Sequence, residues 1–176
     1  LDLTRLPAGP EPPTRVYAVV EIPRHSRNKY EYDPSLGAFR LDRVLYSAVH
    51  YPTAYGFIPS TLAEDGDCLD ALVATTESTF PGCVIEVRPI GVLQMEDEHG
   101  RDEKILCVPV ADRYFDGFLD LDQVPPHQLR EIEHFFRTYK DLELKHSATF
   151  GWSGAATARD IIRACLLDPG DATAPI

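Results

Sequence analysis

No stretch of this 176-residue chain approaches the run of about 20 apolar residues that crosses a bilayer, so the pattern holds no membrane-spanning helix. Leu1 to Arg15 is rich in proline and lacks the apolar core of a signal peptide, which predicts a protein that is not exported. Cysteine is scarce. The spacing of Cys68, Cys83, Cys107 and Cys165 fits neither a zinc knuckle nor a Cys-x-x-Cys redox pair. Free thiols in a reducing, cytoplasmic setting are the expectation. Positive charge is also short, with 17 Lys and Arg against 28 Asp and Glu, a net charge of −11. That deficit argues against nucleic acid and anionic membranes as partners, because both call for a basic face. A small anionic ligand stays open, provided metal ions reverse the local sign. Internal repeats and long low-complexity linkers are absent.

What is present suits one ordinary domain. Hydrophobic residues make up 44% of the chain. A chain of this length buries a sound core without disulfides or structural zinc. The expected division is an extension over 1–14, a single domain over 15–167 and a loose tail over 168–176.

Val16 to Ile22 is apolar and β-branched and reads as a strand, followed by a polar loop from Pro23 to Asn28. Ala38 to Tyr46, Tyr55 to Ile58, Leu69 to Thr75, Cys83 to Met95 and Ile105 to Val110 read as further strands. Short strands with frequent Gly and Pro punctuation suggest a barrel or sandwich. Near Val124 the period changes. Pro125 and Pro126 can open a helix, and Leu129, Ile132, Phe135, Phe136 and Tyr139 recur at helical spacing. A second helix is expected after Ser153 as N-cap, carrying Ile161, Ile162, Cys165 and Leu166. The class is α+β, mainly β. Ile132, Phe136 and Ile161 suit either a core or a subunit interface.

The chemistry concentrates in Asp65-Gly66-Asp67-Cys68-Leu69-Asp70. Carboxylates this close repel one another unless a cation sits among them, and hard oxygen ligands select Mg²⁺, Mn²⁺ or Ca²⁺. A solvated acidic turn is the plain alternative. An EF-hand loop is excluded, because its fifth and sixth positions would here be Leu69 and Asp70. A second acidic group, Glu96 to Glu98 with Asp102, Glu103 and Lys104, is either a solvent-facing hairpin tip or the rest of a metal site. Lys29 and Glu31 share a face if they lie on a strand. Arg43, Tyr55 and Tyr139-Lys140-Asp141 each have ordinary explanations taken singly.

Their order and spacing together resemble the family I soluble inorganic pyrophosphatases, from about Val16 to Trp152. The residues that carry the resemblance are Glu21-Ile22-Pro23, Lys29-Tyr30-Glu31, Asp42-Arg43, Tyr51-Pro52 with Tyr55-Gly56, the Asp65, Asp67, Asp70 loop, Asp97, Asp102 and Lys104, and Tyr139-Lys140-Asp141. The family's loop carries proline where this chain has Cys68. Cysteine leaves that position less restricted and sets a thiol among the carboxylates, either reactive towards oxidants and thiol reagents or buried and inert.

The resemblance implies an OB-like five-stranded β-barrel with additional strands and two α-helices packed on it. It implies hydrolysis of pyrophosphate to two phosphates, several Mg²⁺ ions per site with Mn²⁺ as a substitute, and a homohexamer. It implies Asp67 as the general base and Asp65, Asp70, Asp97, Asp102 and Glu31 as metal ligands. Lys29, Arg43, Tyr55, Lys104, Tyr139 and Lys140 look like phosphate ligands, with Glu21 in support. Arg88 reads as a structural partner of the acidic residues. His25, His50, His99, His127, His134 and His146 match none of these roles and read as surface or packing residues. Rival readings are a barrel that binds single-stranded nucleic acid, and a metal-dependent phosphatase or nuclease acting on larger esters.

Overall fold

The apolar run Val16–Ile22 (β1) is covered on both faces, which is why it carries hydrophobic residues without strict alternation. In the computed structural model, which describes residues 1–98 and 100–168, eight further strands follow. These are β2 (Asn28–Asp33), β3 (Ala38–Val44), β4 (Ala54–Phe57), β5 (Asp70–Val73), β6 (Val84–Asp97), β7 (Gly100–Arg101), β8 (Lys104–Pro109) and β9 (Ser147–Gly154). Two helices, α1 (Pro126–Thr138) and α2 (Ala155–Cys165), complete the regular structure with a few short 3-10 turns. No helix among the described residues is long and apolar enough to cross a membrane.

β1 pairs with both β4 and β6, and β4, β5, β8 and β6 pair in succession, so five strands close into a ring. The pairing of β5 with β8 is parallel and the other pairings of the ring are antiparallel. The long strand β6 serves β1 with its first residues and β8 with its middle, where the register shifts between Pro89 and Gly91. Proline there leaves one ladder donor missing, and a bulge is where a sheet tolerates that. The hairpin β2–β3 forms a separate two-stranded sheet.

Alternate residues divide between two cores, as the period of a strand requires. Ala71, Val73, Ile105 and Cys107 join Val16, Ala18, Val20, Val87 and Val92 in a cluster closed by Ala158 and Ile162 of α2. Leu72, Leu106 and Val108 point the other way, against Ile132, Phe135, Phe136 and Tyr139. Each large side chain buried on α1 stabilises the fold by about 2 kcal/mol. Ile132 and Phe136 are therefore core residues, and Ile161 is half-buried against the ring.

Close approach matters at Gly56, where a Cβ would run into the carbonyl of Val19 in the neighbouring strand. Gly56→Ala is expected to destabilise the protein by about 2 kcal/mol, read as the shift in a urea midpoint. An unchanged midpoint would contradict the packing described.

Three expectations need correction. The first is β9, which the hydrophobic pattern does not reveal: its residues are small, polar or half-buried apart from an exposed Phe150, and the strand exists because the far half of β6, from Gly91 to Asp97, needs a partner. The second is the cap of α2, which is not Ser153. That residue lies in β9, Gly154 occupies the N-cap position, and the first free N–H, that of Ala155, donates to Asp120 Oδ1 at 3.0 Å. The third is Arg88, which pairs with no carboxylate among the described residues. Its guanidinium donates to the carbonyls of Phe118 and Phe115, at 2.9 and 2.8 Å. The expected tail lies outside the described residues except for Asp168, and so does His99.

Candidate active site

The ladder register places the first residues of β5 and β8 side by side, Asp70 against Lys104. Lys104 Nζ donates to Asp70 Oδ2 at 2.6 Å and to Asp102 Oδ1 at 2.8 Å. Its ammonium also stands 5.3 Å from the ring centres of Tyr55 and Phe136. Burial works to strip that charge, but Asp70 and Asp102 outweigh it and raise the lysine's affinity for its proton. Asp70 feels the same burial from the other side. Its carboxyl is pushed up to about 6, chiefly by burial, with Lys104 opposing and Asp102 adding to the rise.

A second pair of neighbours forms in the β2–β3 hairpin, where Lys29 lies opposite Arg43. Lys29 contacts Glu31 on the same face of β2. The Arg43 fork is gripped at both ends. Glu143 accepts from Nε and faces Nη2, each at 2.9 Å, while Asp42 faces Nη1. Burial opposes the Arg43 charge, and these two carboxylates more than restore it. At the end of α1, Tyr139 and Lys140 turn inward, 5% and 8% exposed. Lys140 Nζ lies 3.0 Å from Asp97 Oδ2 and 3.5 Å from Glu98 Oε2.

The loop before β5 forms the rim. Gly66 has φ +93°, a left-handed turn that costs glycine little. The Asp67 N–H donates to Asp65 Oδ1 at 3.1 Å, and both side chains face solvent. Glu21 lies at the back, where the Tyr32 N–H donates to its Oε1 at 2.7 Å. Burial outweighs that bond and lifts its carboxyl to about 8, with Asp70 adding to the rise.

Every site residue named from the sequence lines one cleft of about 420 Å³: Glu21, Lys29, Glu31, Arg43, Tyr55, Asp65, Asp67, Asp70, Asp97, Asp102, Lys104, Tyr139 and Lys140. The sequence reading named Glu98 in the acidic hairpin without giving it a role and omitted Lys145, both of which line the same cleft, and it omitted Glu143, which orients Arg43. Glu98 stands inside the acidic hairpin and was within reach of the pattern; Glu143 lies 100 residues from its partner and was not. The described histidines are exposed and none lines the cleft. Cys68 is half-buried, and burial pushes its thiol up to about 11, which disfavours the thiolate.

The donor set suits a hard cation. All the acidic groups offer carboxylate oxygens, and two of them, Asp70 and Glu21, have raised proton affinity chiefly because burial disfavours their charge, which a bound cation would offset. Among the described residues, no three Asp, Glu, His or Cys side chains are already gathered to coordination distance. Lysine ammoniums stand between the carboxylates instead.

Glu21 also makes a testable statement about stability. Its pKa lies near 4.5 when unfolded and about 8 when folded, so between those values the folded state holds a proton that the unfolded state releases. Stability is lost as pH rises through that window. Metal-free Glu21→Gln is expected to melt above the wild type at pH 8 and together with it near pH 4.5. A lower melting temperature for the variant at pH 8 would contradict the burial cost.

The family model for inorganic pyrophosphatase matches residues 18–168. An inorganic pyrophosphatase of Methanosarcina acetivorans is 57% identical over 145 residues, covering 82% of this chain and 86% of its own. That of Thermus thermophilus is 51% identical over 168 residues, covering 94% and 96%. The crystal structure of inorganic pyrophosphatase from Thermus thermophilus superposes with a TM-score of 0.93 at 50% identity, covering 94% of this chain and 97% of that one. Similarity of this extent, over the ring and the cleft alike, shows that the chain belongs to the family I inorganic pyrophosphatases.

Proposed function

We propose that this chain hydrolyses inorganic pyrophosphate to two phosphates with Mg²⁺, Mn²⁺ serving as a substitute, and so keeps pyrophosphate low in the cytoplasm. The observation that carries the proposal is the cleft itself, where carboxylates, lysines, an arginine and phenols from seven strands and the end of α1 meet. Members of this family depend on divalent metal ions. Asp65, Asp70, Asp97, Asp102 and Glu31 are the residues that would hold them, with Glu21 in support. When bound, the metal supplies the positive charge that a polyanion needs in an acidic cleft and lowers the pKa of a water there.

The chain's own groups do the rest. Lys29, Arg43, Lys104, Lys140 and the hydroxyls of Tyr55 and Tyr139 bind the phosphate oxygens. They hold the bridging oxygen in line with the attacking water. Arg43 arrives already oriented by Glu143 and Asp42, so little of its freedom is lost on binding. Asp67 takes the proton from the attacking water as its oxygen bonds to phosphorus. The P–O bond to the departing phosphate breaks, and lysine charge compensates the developing negative charge on that group.

The functional unit is a single domain over 15–167, and it assembles as a homohexamer in the cytoplasm. The test is phosphate release in the presence of Mg²⁺. The expected result is release from pyrophosphate and none from ATP or a phosphomonoester, with no gel shift of single-stranded DNA in metal-free buffer. Equal release from nucleotides or monoesters would favour the broader phosphatase and overturn the assignment.

A further inference from the structure

The segment Leu1–Leu6 reaches the rim of the cleft, where Thr4 is a lining residue. It carries the 3-10 turn Leu3–Arg5, capped by Asp2, whose side chain accepts from the Thr4 N–H at 3.0 Å. Two residues of the body fasten it. Ser60 donates its N–H to the Thr4 carbonyl at 2.8 Å and its hydroxyl to the Leu6 carbonyl at 2.7 Å. The Tyr32 hydroxyl accepts from the Leu3 N–H at 3.2 Å and donates to the Leu1 carbonyl at 3.1 Å. Held this way, Leu3 and Leu6 pack with Val19, Tyr32, Phe57 and Cys68 in a small apolar cluster separate from the two main cores.

Cys68 sits between Asp67 and Asp70, so this cluster touches the acidic loop directly. The loop turns on short-range hydrogen bonds, among them that of the Asp67 N–H to Asp65 Oδ1 at 3.1 Å. The Ala63 N–H donates to the Asp67 carbonyl at 2.8 Å, and the Gly66 N–H to the Ala63 carbonyl at 3.1 Å. Gly66 stands in open space and adds no stiffness. Cysteine has no ring to restrict φ, so packing of the Cys68 side chain adds to the hold on the next residue, Leu69, whose N–H donates to Thr61 Oγ1 at 2.9 Å. Tyr32 joins the same device to the back of the cleft, since its N–H holds Glu21 while its hydroxyl holds the segment.

We propose that Leu3, Leu6 and Tyr32 form a clasp that positions Asp65, Asp67 and Asp70 through Cys68, and Glu21 through Tyr32. They are positioning residues, because each acts on the cleft through another group. The inference rests on the reading of this cleft as a metal-dependent pyrophosphatase site.

Leu3→Ser tests it in the full chain. In metal-free protein, alkylation of Cys68 by N-ethylmaleimide, followed peptide by peptide, is expected to accelerate about tenfold as the cluster opens, while Cys83 and Cys165 keep their rates. Mg²⁺ binding by calorimetry is expected to weaken about tenfold, the size seen when support behind a ligand is lost. The Mg²⁺ concentration for half-maximal hydrolysis rises with it, while kcat at saturating Mg²⁺ stays within about twofold. Leu3→Met keeps the contact and the wild-type values. Adding Cys68→Pro to Leu3→Ser restores the Mg²⁺ affinity, because the ring then fixes what packing fixed before. Wild-type Mg²⁺ affinity in folded Leu3→Ser, or no recovery on adding Cys68→Pro, would overturn the clasp. Alkylation and calorimetry need no substrate, so a wild type unable to cleave pyrophosphate would defeat the functional reading without deciding this one.

Discussion

Asp67→Asn lowers turnover of pyrophosphate by about 10² to 10⁴-fold, the range that a positioned general base supplies. The amide is nearly isosteric with the carboxylate but takes no proton from water. Asp67 lies on the exposed rim, where exchanging one oxygen for nitrogen costs little in packing. Its backbone N–H still donates to Asp65. The melting temperature is therefore expected to stay within about 2 °C of the wild type. Mg²⁺ binding is expected to stay largely intact, in contrast with Asp70→Asn, which takes a carboxylate from the cleft floor and is expected to weaken Mg²⁺ binding itself. Near-normal turnover of Asp67→Asn at neutral pH would remove Asp67 from the role of base.

Lys104→Met carries the second large effect. The ammonium is 1% exposed and is shared between Asp70 and Asp102. Removing one partner of a buried charge cluster leaves the others uncompensated, which costs about 3 kcal/mol or more. The side chains of Asp70 and Asp102, 23% and 14% exposed, reach enough water to keep the cost near the lower end of that range. In metal-free protein at pH 7 the melting temperature is expected to fall by roughly 10 °C. The loss shrinks as pH falls, because without the opposing charge of Lys104 the buried Asp70 carboxyl takes up its proton at a higher pH than in the wild type. Added Mg²⁺ recovers part of it, because a cation then faces the same two carboxylates. Equal melting of variant and wild type without metal would contradict the arrangement of the floor.

The ring strands were legible because β1, β5, β6 and β8 are buried on both faces and so read as β-branched or aliphatic runs between Gly and Pro. Helix α1 was legible because Ile132, Phe135 and Phe136 repeat at 3.6 residues behind a proline start. The strand β9 was not. Its stability comes from edge pairing with β6, and a backbone ladder leaves no mark on side-chain hydrophobicity. The cap of α2 was misread for a related reason, since Asp120 reaches Ala155 from 35 positions away. The site was legible through the order of short motifs, most of which map to a strand, or a loop beside one, that opens on the cleft, with Tyr139 and Lys140 at the end of α1. What supports the site was hidden. Glu143 behind Arg43, and Leu3 and Leu6 behind Cys68, are ordinary residues whose meaning comes only from the residues they touch.

The central claim is that bound metal converts a cleft of acids into a site for a polyanion. Phosphate release from pyrophosphate, measured on protein stripped with EDTA and then given Mg²⁺, tests it most directly. The account predicts that the stripped, folded protein is inactive and that Mg²⁺ restores its activity. Brisk hydrolysis by the stripped protein would contradict it.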